Sequence, residues 1–357
     1  MRFLILALIS CWSVSAHADK PTTLELEKAL ASYRDSAALL HKADSFIYAR
    51  RAYTIARQLY ADKPESLGPI AYTYALAASR YQEPVALEQF EIAIELMTKA
   101  FGPRSEKLAP VLVDAAEESI RRKEPEMAYL FTKHARELIS LHSMENSFLA
   151  ARAHMSLARQ YWASGEIERA EKHANRATQL ADTTSEIAVY PDEANLHFWN
   201  GQLMRWMHNF EKASISYEIA LQAFLEREPR NRKVLSIHKH MVEVSHHLDN
   251  FDRLAYHCVE AQRWQNLRGM SFYWPIYDPT GSIDQLNRTR KSQFIASFTR
   301  DTDCKAKDIV ILKTQGISDK DAIKIVTEGY FAPRMRKGRM TANQRDDELH
   351  FSIYDEF

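Results

Sequence analysis

The sequence predicts a mainly α-helical chain: an α-solenoid of about six helix pairs, followed by a small α+β domain in the order strand, strand, helix, strand. Three observations predict it. A pair of small residues seven apart recurs at near-constant intervals between positions 49 and 261. Glycine is scarce, at 9 of 357 residues, while alanine, leucine, glutamate and arginine are abundant, which suits long helices. Beyond residue 290 the apolar period falls from the helical value to two.

The first element, residues 1–18, reads as an export signal. Arg2 supplies a positive start, Phe3–Val14 an apolar stretch, and Ala16-His17-Ala18 a small-x-small cleavage site before Asp19. The run is shorter than the ~20 residues that cross a bilayer. With no comparable run elsewhere, the mature protein is expected to carry no integral membrane span and to reside in the periplasm. Leu8-Ile9-Ser10-Cys11 also matches a lipoprotein box, which would leave Cys11 acylated. Cleavage after Ala18 leaves Cys258 and Cys304, which in an oxidising compartment are either a disulfide or two buried thiols.

The repeat occupies residues 22–268. Its markers are Ala49/Ala56, Ala86/Ala93, Ala128/Ala135, Ala170/Ala177 and Ala213/Ala220, with a sixth copy at Leu254/Ala261; first members are 37, 42, 42, 43 and 41 residues apart. Seven residues is about two helical turns, so each pair shares a face on which small side chains let a neighbouring helix approach. Leu157, Ala158 and Tyr161 form a second amphipathic helix ahead of the fourth pair, ending at a Ser164-Gly165 turn. Trp199, Gly201 and Met204 do so ahead of the fifth, with a turn near His208-Asn209.

Leu157-Ala158, Tyr161, Gly165, Ala170 and Ala177, and again Gly201, Ala213, Tyr217, Ala220 and Pro229, resemble the tetratricopeptide repeat in order and spacing. The period exceeds that family's usual length, and earlier copies lack the large-residue-then-glycine pattern. The resemblance implies a groove lined by the first helix of each pair. Its groove positions fall on Arg152, Met155, Arg159 and Trp162, then Asn195, Phe198, Gln202 and Arg205, then Lys239, Glu243 and His246. Arginines among aromatics suit an extended peptide carrying an acidic group or a free carboxylate.

Residues 269–289 read as an extended linker, because Pro275 and Pro279 disfavour helix. In residues 290–357, Phe294, Ala296 and Phe298 alternate as a first strand, and Ile309–Leu312 suggests a strand buried on both faces. Ser318-x-x-Asp321 starts a helix with Ala322, Ile325 and Val326 as its apolar stripe and Gly329 at its end; Leu349, Phe351 and Ile353 form the last strand. That order, with Tyr330-Phe331-Ala332-Pro333-Arg334 after the helix, Gly338 at the next turn and Trp274–Pro279 upstream, resembles the TonB C-terminal domain. It departs at Ser292 and at the first hairpin, where Asp303-Cys304 replaces Asp-Gly, so Cys304 must avoid positive φ or accept strain. The resemblance implies an edge strand that pairs with an extended segment of an outer-membrane transport partner. Glu348, Leu349, His350, Phe351, Ser352, Ile353 and Tyr354 are the candidate edge.

Lys+Arg and Asp+Glu are equal at 47 each, so no global field draws the chain to nucleic acid or anionic lipid. No nucleophile elbow, P-loop or dinucleotide fingerprint occurs, and no cofactor is expected. His240, Glu243 and His247 share a helical face, with His238 and His246 nearby, and carry the alternative of a metal-dependent enzyme; ordinary surface histidines are the competing reading. The sequence therefore points to a non-enzymatic adaptor for protein or peptide partners. Its alternative is a scaffold whose C-terminal domain only caps the array.

Overall fold

The structure is a computed structural model that describes residues 21–184, 192–267, 293–300, 304–331, 335–336, 339–340 and 349–351. The signal segment, the Cys11 box and the 269–289 linker expected from the sequence lie outside these residues, as do Glu348, Ser352, Ile353 and Tyr354. The chain forms two compact units, Met1–Arg122 and Lys123–Phe357.

The first unit contains α1 (Thr23–Ala38), α2 (Lys42–Leu59), α3 (Pro64–Tyr81), α4 (Ala86–Phe101) and α5 (Leu108–Arg122), each packed on its neighbour in sequence. Thr22 starts α1 through a capping box with Glu25. Pro64 opens α3, where its missing N–H leaves no bond unmade.

The second unit begins with α6 (Pro125–Leu141), α7 (Phe148–Ala163), α8 (Ile167–Thr184), α9 (Asp192–Trp206), α10 (Phe210–Arg227), α11 (Arg232–His247) and α12 (Phe251–Leu267). Within it α7 packs on α8, α9 on α10 and α11 on α12. The recurring small residues fall on α2, α4, α6, α8, α10 and α12, and every one of the twelve marker side chains is at most 1% exposed. Seven-residue spacing thus places both members of each pair against a neighbouring helix.

Close helix approach is clearest at Gly201. A Cβ there would lie 2.7 Å from the Tyr217 ring, and Tyr217 is fully buried. Gly201→Ala is expected to cost about 1–3 kcal/mol, the range for overpacking a core, read as a lower urea midpoint with an unchanged slope.

A second feature recurs with the repeat. Leu40, Gln82, Lys123, Gly165, His208 and Asp249, each just before a second helix, all have positive φ, between 52° and 80°. Around five of them the turn closes through a six-residue bond, for example His41 N to Ser36 O at 2.8 Å and Asn209 N to Met204 O at 2.8 Å. These are left-handed helix ends of the Schellman type.

The C-terminal part holds β1 (Gln293–Arg300), β2 (Ala306–Gln315), α13 (Asp319–Glu328), β3 (Met335–Arg336), β4 (Arg339–Met340) and β5 (Leu349–Phe351). One antiparallel sheet has the order β2-β1-β5, and β3 pairs with β4 in a short hairpin that the periodicity did not indicate. Ser318 caps α13 by accepting from Asp321 N at 3.1 Å. Phe294, Ala296, Phe298, Ala322, Ile325, Val326 and Phe331 form the core between sheet and helix. The expectation that Ile309–Leu312 is buried on both faces is corrected. Ile309 and Ile311 pack on that core, but Val310 and Leu312 are 39% and 48% exposed. On β2 it is the face turned to α13 that is packed, so alternation replaces a doubly buried run.

This small domain is fastened to the last helix pair. Cys258 of α12 and Cys304 are joined as a disulfide, with Cα atoms 6.6 Å apart. Both cysteines are fully buried, in a cluster with Val242, Leu254 and Tyr330. His246 Nδ1 lies 3.0 Å from the Tyr330 hydroxyl, and Lys305 Nζ lies 3.5 Å from the Tyr330 ring centre. Cys304 has φ 61°, so its backbone takes the left-handed region where glycine would be easier.

Candidate functional site

The first helices α7, α9 and α11 meet along one face of the second unit, and their contacts pair residues about one repeat apart. Between α7 and α9, the Arg159 guanidinium sits 3.8 Å from the Trp199 ring centre, and Trp162 stacks on Trp206 at 5.5 Å with 10° between planes. Between α9 and α11, Lys233 Nζ bonds Asn195 Oδ1 and lies 5.1 Å from the Phe198 ring centre. Gln202 Nε2 is 3.3 Å from His240 Nε2, and Arg205 donates to Glu243 at 2.6 Å. Trp199 therefore has two cations near its ring, since Lys233 Nζ is also 5.8 Å from its centre. Such contacts are stronger when partly desolvated.

The structure brings Arg159, Trp162, Asn195, Gln202 and Arg205 together on this face, all partly exposed, and leaves Arg152 and Lys239 partly exposed on α7 and α11. Met155 and Phe198 are corrected as groove-lining residues: each is only 4% exposed. Phe198 packs 6.3 Å from the Tyr217 ring centre, so an apolar side chain at that repeat position fills the helix-to-helix interior. Trp199, Trp206 and Lys233 belong to the face but are absent from the sequence-derived set, which followed family positions. The usable signal was pairing across one repeat: the polar contacts Asn195–Lys233, Gln202–His240 and Arg205–Glu243 all span 38 residues.

Among the described residues, cations predominate on this face: Arg152, Arg159, Arg205, Lys233 and Lys239 accompany Glu243, which is engaged by Arg205, and those last two side chains are only 15% and 20% exposed. Burial lowers the Lys239 ammonium from its ordinary range. Burial, then Arg205 and Lys239, hold His240 down at about 3, so it is neutral at physiological pH.

The first unit repeats the device with carboxylates. Tyr72 of α3 bonds Asp114 of α5, and Ser79 Oγ donates to Glu118 at 2.8 Å. Glu118, 2% exposed, also accepts from Arg121 at 2.9 Å and from Arg122 at 2.8 Å. Burial raises its affinity for a proton, but the bonds from Arg121, Arg122 and Ser79 outweigh that and hold its carboxyl below the usual range.

The histidine–glutamate set on α11 is drawn to separate partners. His240 faces Gln202 and stacks 5.6 Å from Tyr217, Glu243 engages Arg205, His247 stacks 4.1 Å from Phe210, and His246 meets Tyr330. Among the described residues no group of three or more His, Cys, Asp or Glu is placed to hold a metal ion. No described helix is long and apolar enough to cross a membrane.

At the C-terminal sheet, β1 is central, so the two edges are β5, whose described part is Leu349, His350 and Phe351, and β2. The ten-residue β2 is the longer described edge, which the sequence reading did not single out.

No family model matches the chain, and no curated protein matches it. Among solved structures, the APC/C Cut9–Hcn1 heterotetramer is similar at a TM-score of 0.50 and 12% identity, over 68% of this chain and 40% of that one. BtubC from P. vanneervenii aligns at a TM-score of 0.42 and 18% identity, over 57% of this chain and 91% of that one. PilF from Pseudomonas aeruginosa aligns at 0.44 and 13%, over 69% and 97%. At these identities the likeness concerns the fold: a mostly helical, tetratricopeptide-like repeat array with a small antiparallel sheet at its C-terminal end.

Proposed function

We propose that this protein is a non-enzymatic adaptor of the bacterial cell envelope, exported to the periplasm, whose α7–α9–α11 face binds an acidic, extended segment of a protein partner. The observation that carries the reading is the cationic and aromatic character of that face. Among the described residues it carries Arg152, Arg159, Arg205, Lys233 and Lys239, with Trp162, Trp199 and Trp206 beside them and Glu243 engaged by Arg205. Guanidinium groups recognise carboxylates by paired hydrogen bonds, and indole rings supply rigid contact area. Export is supported by Arg2, Phe3–Val14 and Ala16-His17-Ala18, and by the joined cysteines, which suit an oxidising compartment.

For the C-terminal domain, the resemblance to TonB supports a second contact in which an edge strand pairs with an extended segment of an outer-membrane transport protein. A competing reading makes this domain a cap. The buried cluster of Val242, Leu254, Cys258, Cys304 and Tyr330 favours it, because it covers apolar surface at the end of the array.

Affinity capture from envelope fractions tests the first contact. The double variant Arg152→Glu, Lys239→Glu is expected to lose the partner held by the wild-type chain, and raised salt to weaken the wild-type complex. Equal recovery by both proteins at all salt concentrations would reject the acidic-segment reading.

A further inference from the structure

Histidines occupy one position in three successive helix pairs. His154 of α7, His197 of α9 and His238 of α11 lie one repeat apart, and the second helix of each pair presents a residue 19 positions later: His173, Ser216 and His257. In the outer two pairs the rings meet nitrogen to nitrogen, Nδ1 to Nδ1, at 2.8 Å for His154–His173 and 2.9 Å for His238–His257. In the middle pair His197 is 3% exposed and its Nδ1 has no hydrogen-bond partner, while Ser216 accepts from Asn200 at 2.7 Å.

A contact that short between two ring nitrogens needs one N–H and one bare lone pair, so the two rings cannot both be protonated while it holds. A proton on the accepting nitrogen removes the bond. A proton on the donor ring's other nitrogen keeps the bond but buries a charge.

The surroundings offer little to stabilise that charge. His154 and His173 feel Arg136 from α6 and Lys172 or Arg176 from α8, and Tyr161 of α7 stacks 5.4 Å from the His173 ring centre. His257 feels Arg253 of its own helix, and Tyr256 stands edge-on to both rings of that pair. Among the described residues, the one carboxylate acting on the set is Asp182 of α8, beside His197. Burial, then His173, Arg136 and Arg176, bring His154 down to about 4. Burial alone brings His238 to about 4, and burial, then His238 and Arg253, bring His257 to about 3. His173 and His197 are lowered by the same leading cause.

We propose that these histidines make α7–α12 an acid-opened part of the molecule, in which the helix pairs separate as the pH drops below the ordinary histidine range while α1–α5 stay folded. The only described histidine of the first unit is His41, whose side chain is 60% exposed. An opened pair binds protons near pH 6.5, as free histidine does, whereas His154 and His238 of the closed pairs stay neutral down to about 4. Stability from neutrality is therefore complete above about pH 6.5 and is lost as the pH falls toward about 4. Each histidine that gains its proton only on opening multiplies the opening constant by about tenfold per pH unit within that window. If the α7–α9–α11 face binds a partner as proposed above, acid would dismantle that face and release it.

Hydrogen exchange on the full chain alone, at about pH 7 and pH 5 and corrected for intrinsic rates, tests the opening without any partner. Its failure would leave the binding reading standing. The expected result is an opening constant at least about tenfold larger at the lower pH for α7–α12 amides, with less than about twofold change in α1–α5. A like response in both units, or none in α7–α12, overturns the proposal. The double variant His238→Phe, His257→Leu is expected to weaken the response in α11 and α12, leaving the part that the buried His240 supplies, while keeping it whole in α7 and α8. Should that variant fail to fold, imidazole titration of the wild-type protein by NMR decides: five ring signals that stay neutral until the pairs open support the proposal, and ordinary titration near pH 6.5 in the folded state overturns it.

Discussion

Cys258→Ser combined with Cys304→Ser is expected to destabilise the Lys123–Phe357 unit by about 4 kcal/mol. The bond spans 46 residues, and in the chain-entropy account a loop of that length restricts the unfolded chain by roughly this amount at 25 °C. It holds the hairpin residue Cys304 against α12, beside Val242, Leu254 and Tyr330. Without it, those apolar contacts and the His246–Tyr330 bond still hold the small domain to the helices, but without a covalent tie. Urea denaturation of wild type and variant should show a lower midpoint, with protease cleavage appearing first between the array and the small domain. Because both sulfurs are buried, a mild reductant should leave the folded wild-type protein oxidised and act only after denaturant is added. An unchanged midpoint in the double variant would mean that packing alone fastens the domain.

Glu118→Ala is expected to cost the first unit about 3 kcal/mol. Removing one partner of a buried ion pair costs about 3–5 kcal/mol, because the remaining charge is stranded. Here the lower end applies: the Arg121 and Arg122 side chains are 36% and 27% exposed and regain water. Ser79 of α3 loses its acceptor, so the loss falls on the contact between α3 and α5. Glu118→Gln keeps that acceptor and the side-chain shape, and should cost less than half as much. Acid acts in the same direction. The Glu118 carboxyl is held below its unfolded value, so its contribution is complete above about pH 4.5 and is lost as the pH falls through the folded value. Equal midpoints for Glu118→Ala and wild type at neutral pH would show the cluster to be a solvated surface network.

The repeat was legible because its physical requirement is narrow. Only a small side chain fits where Ala128, Ala135, Ala170, Ala177, Ala213 and Ala220 meet a neighbouring helix, so the spacing survives in the letters. The turns were less legible. The left-handed residue that glycine would announce is Gly165 in one copy, but Leu40, Gln82, Lys123, His208 and Asp249 in the others, and around all of these but Lys123 a six-residue bond closes the helix. The binding face was half legible. Family positions found Arg159, Trp162 and Arg205 but placed Met155 and Phe198 beside them, because position in a repeat does not state how closely successive first helices approach. Val310 and Leu312 misled for a related reason: an unbroken apolar run does not reveal how many of its faces are covered. The histidine contacts were hidden by distance along the chain, since the 19 residues between His154 and His173 cross a turn whose geometry sets whether the rings touch.

The central claim is that the face built from α7, α9 and α11 is where a partner sits. A photoreactive residue placed in living cells at Arg152, and separately at the outward-facing Ile215 of α10, which is 60% exposed, tests it most directly. The account predicts a discrete crosslinked product from position 152 that disappears in the Lys239→Glu background, and none from position 215. The same product from both positions, or one from position 215 alone, would contradict it.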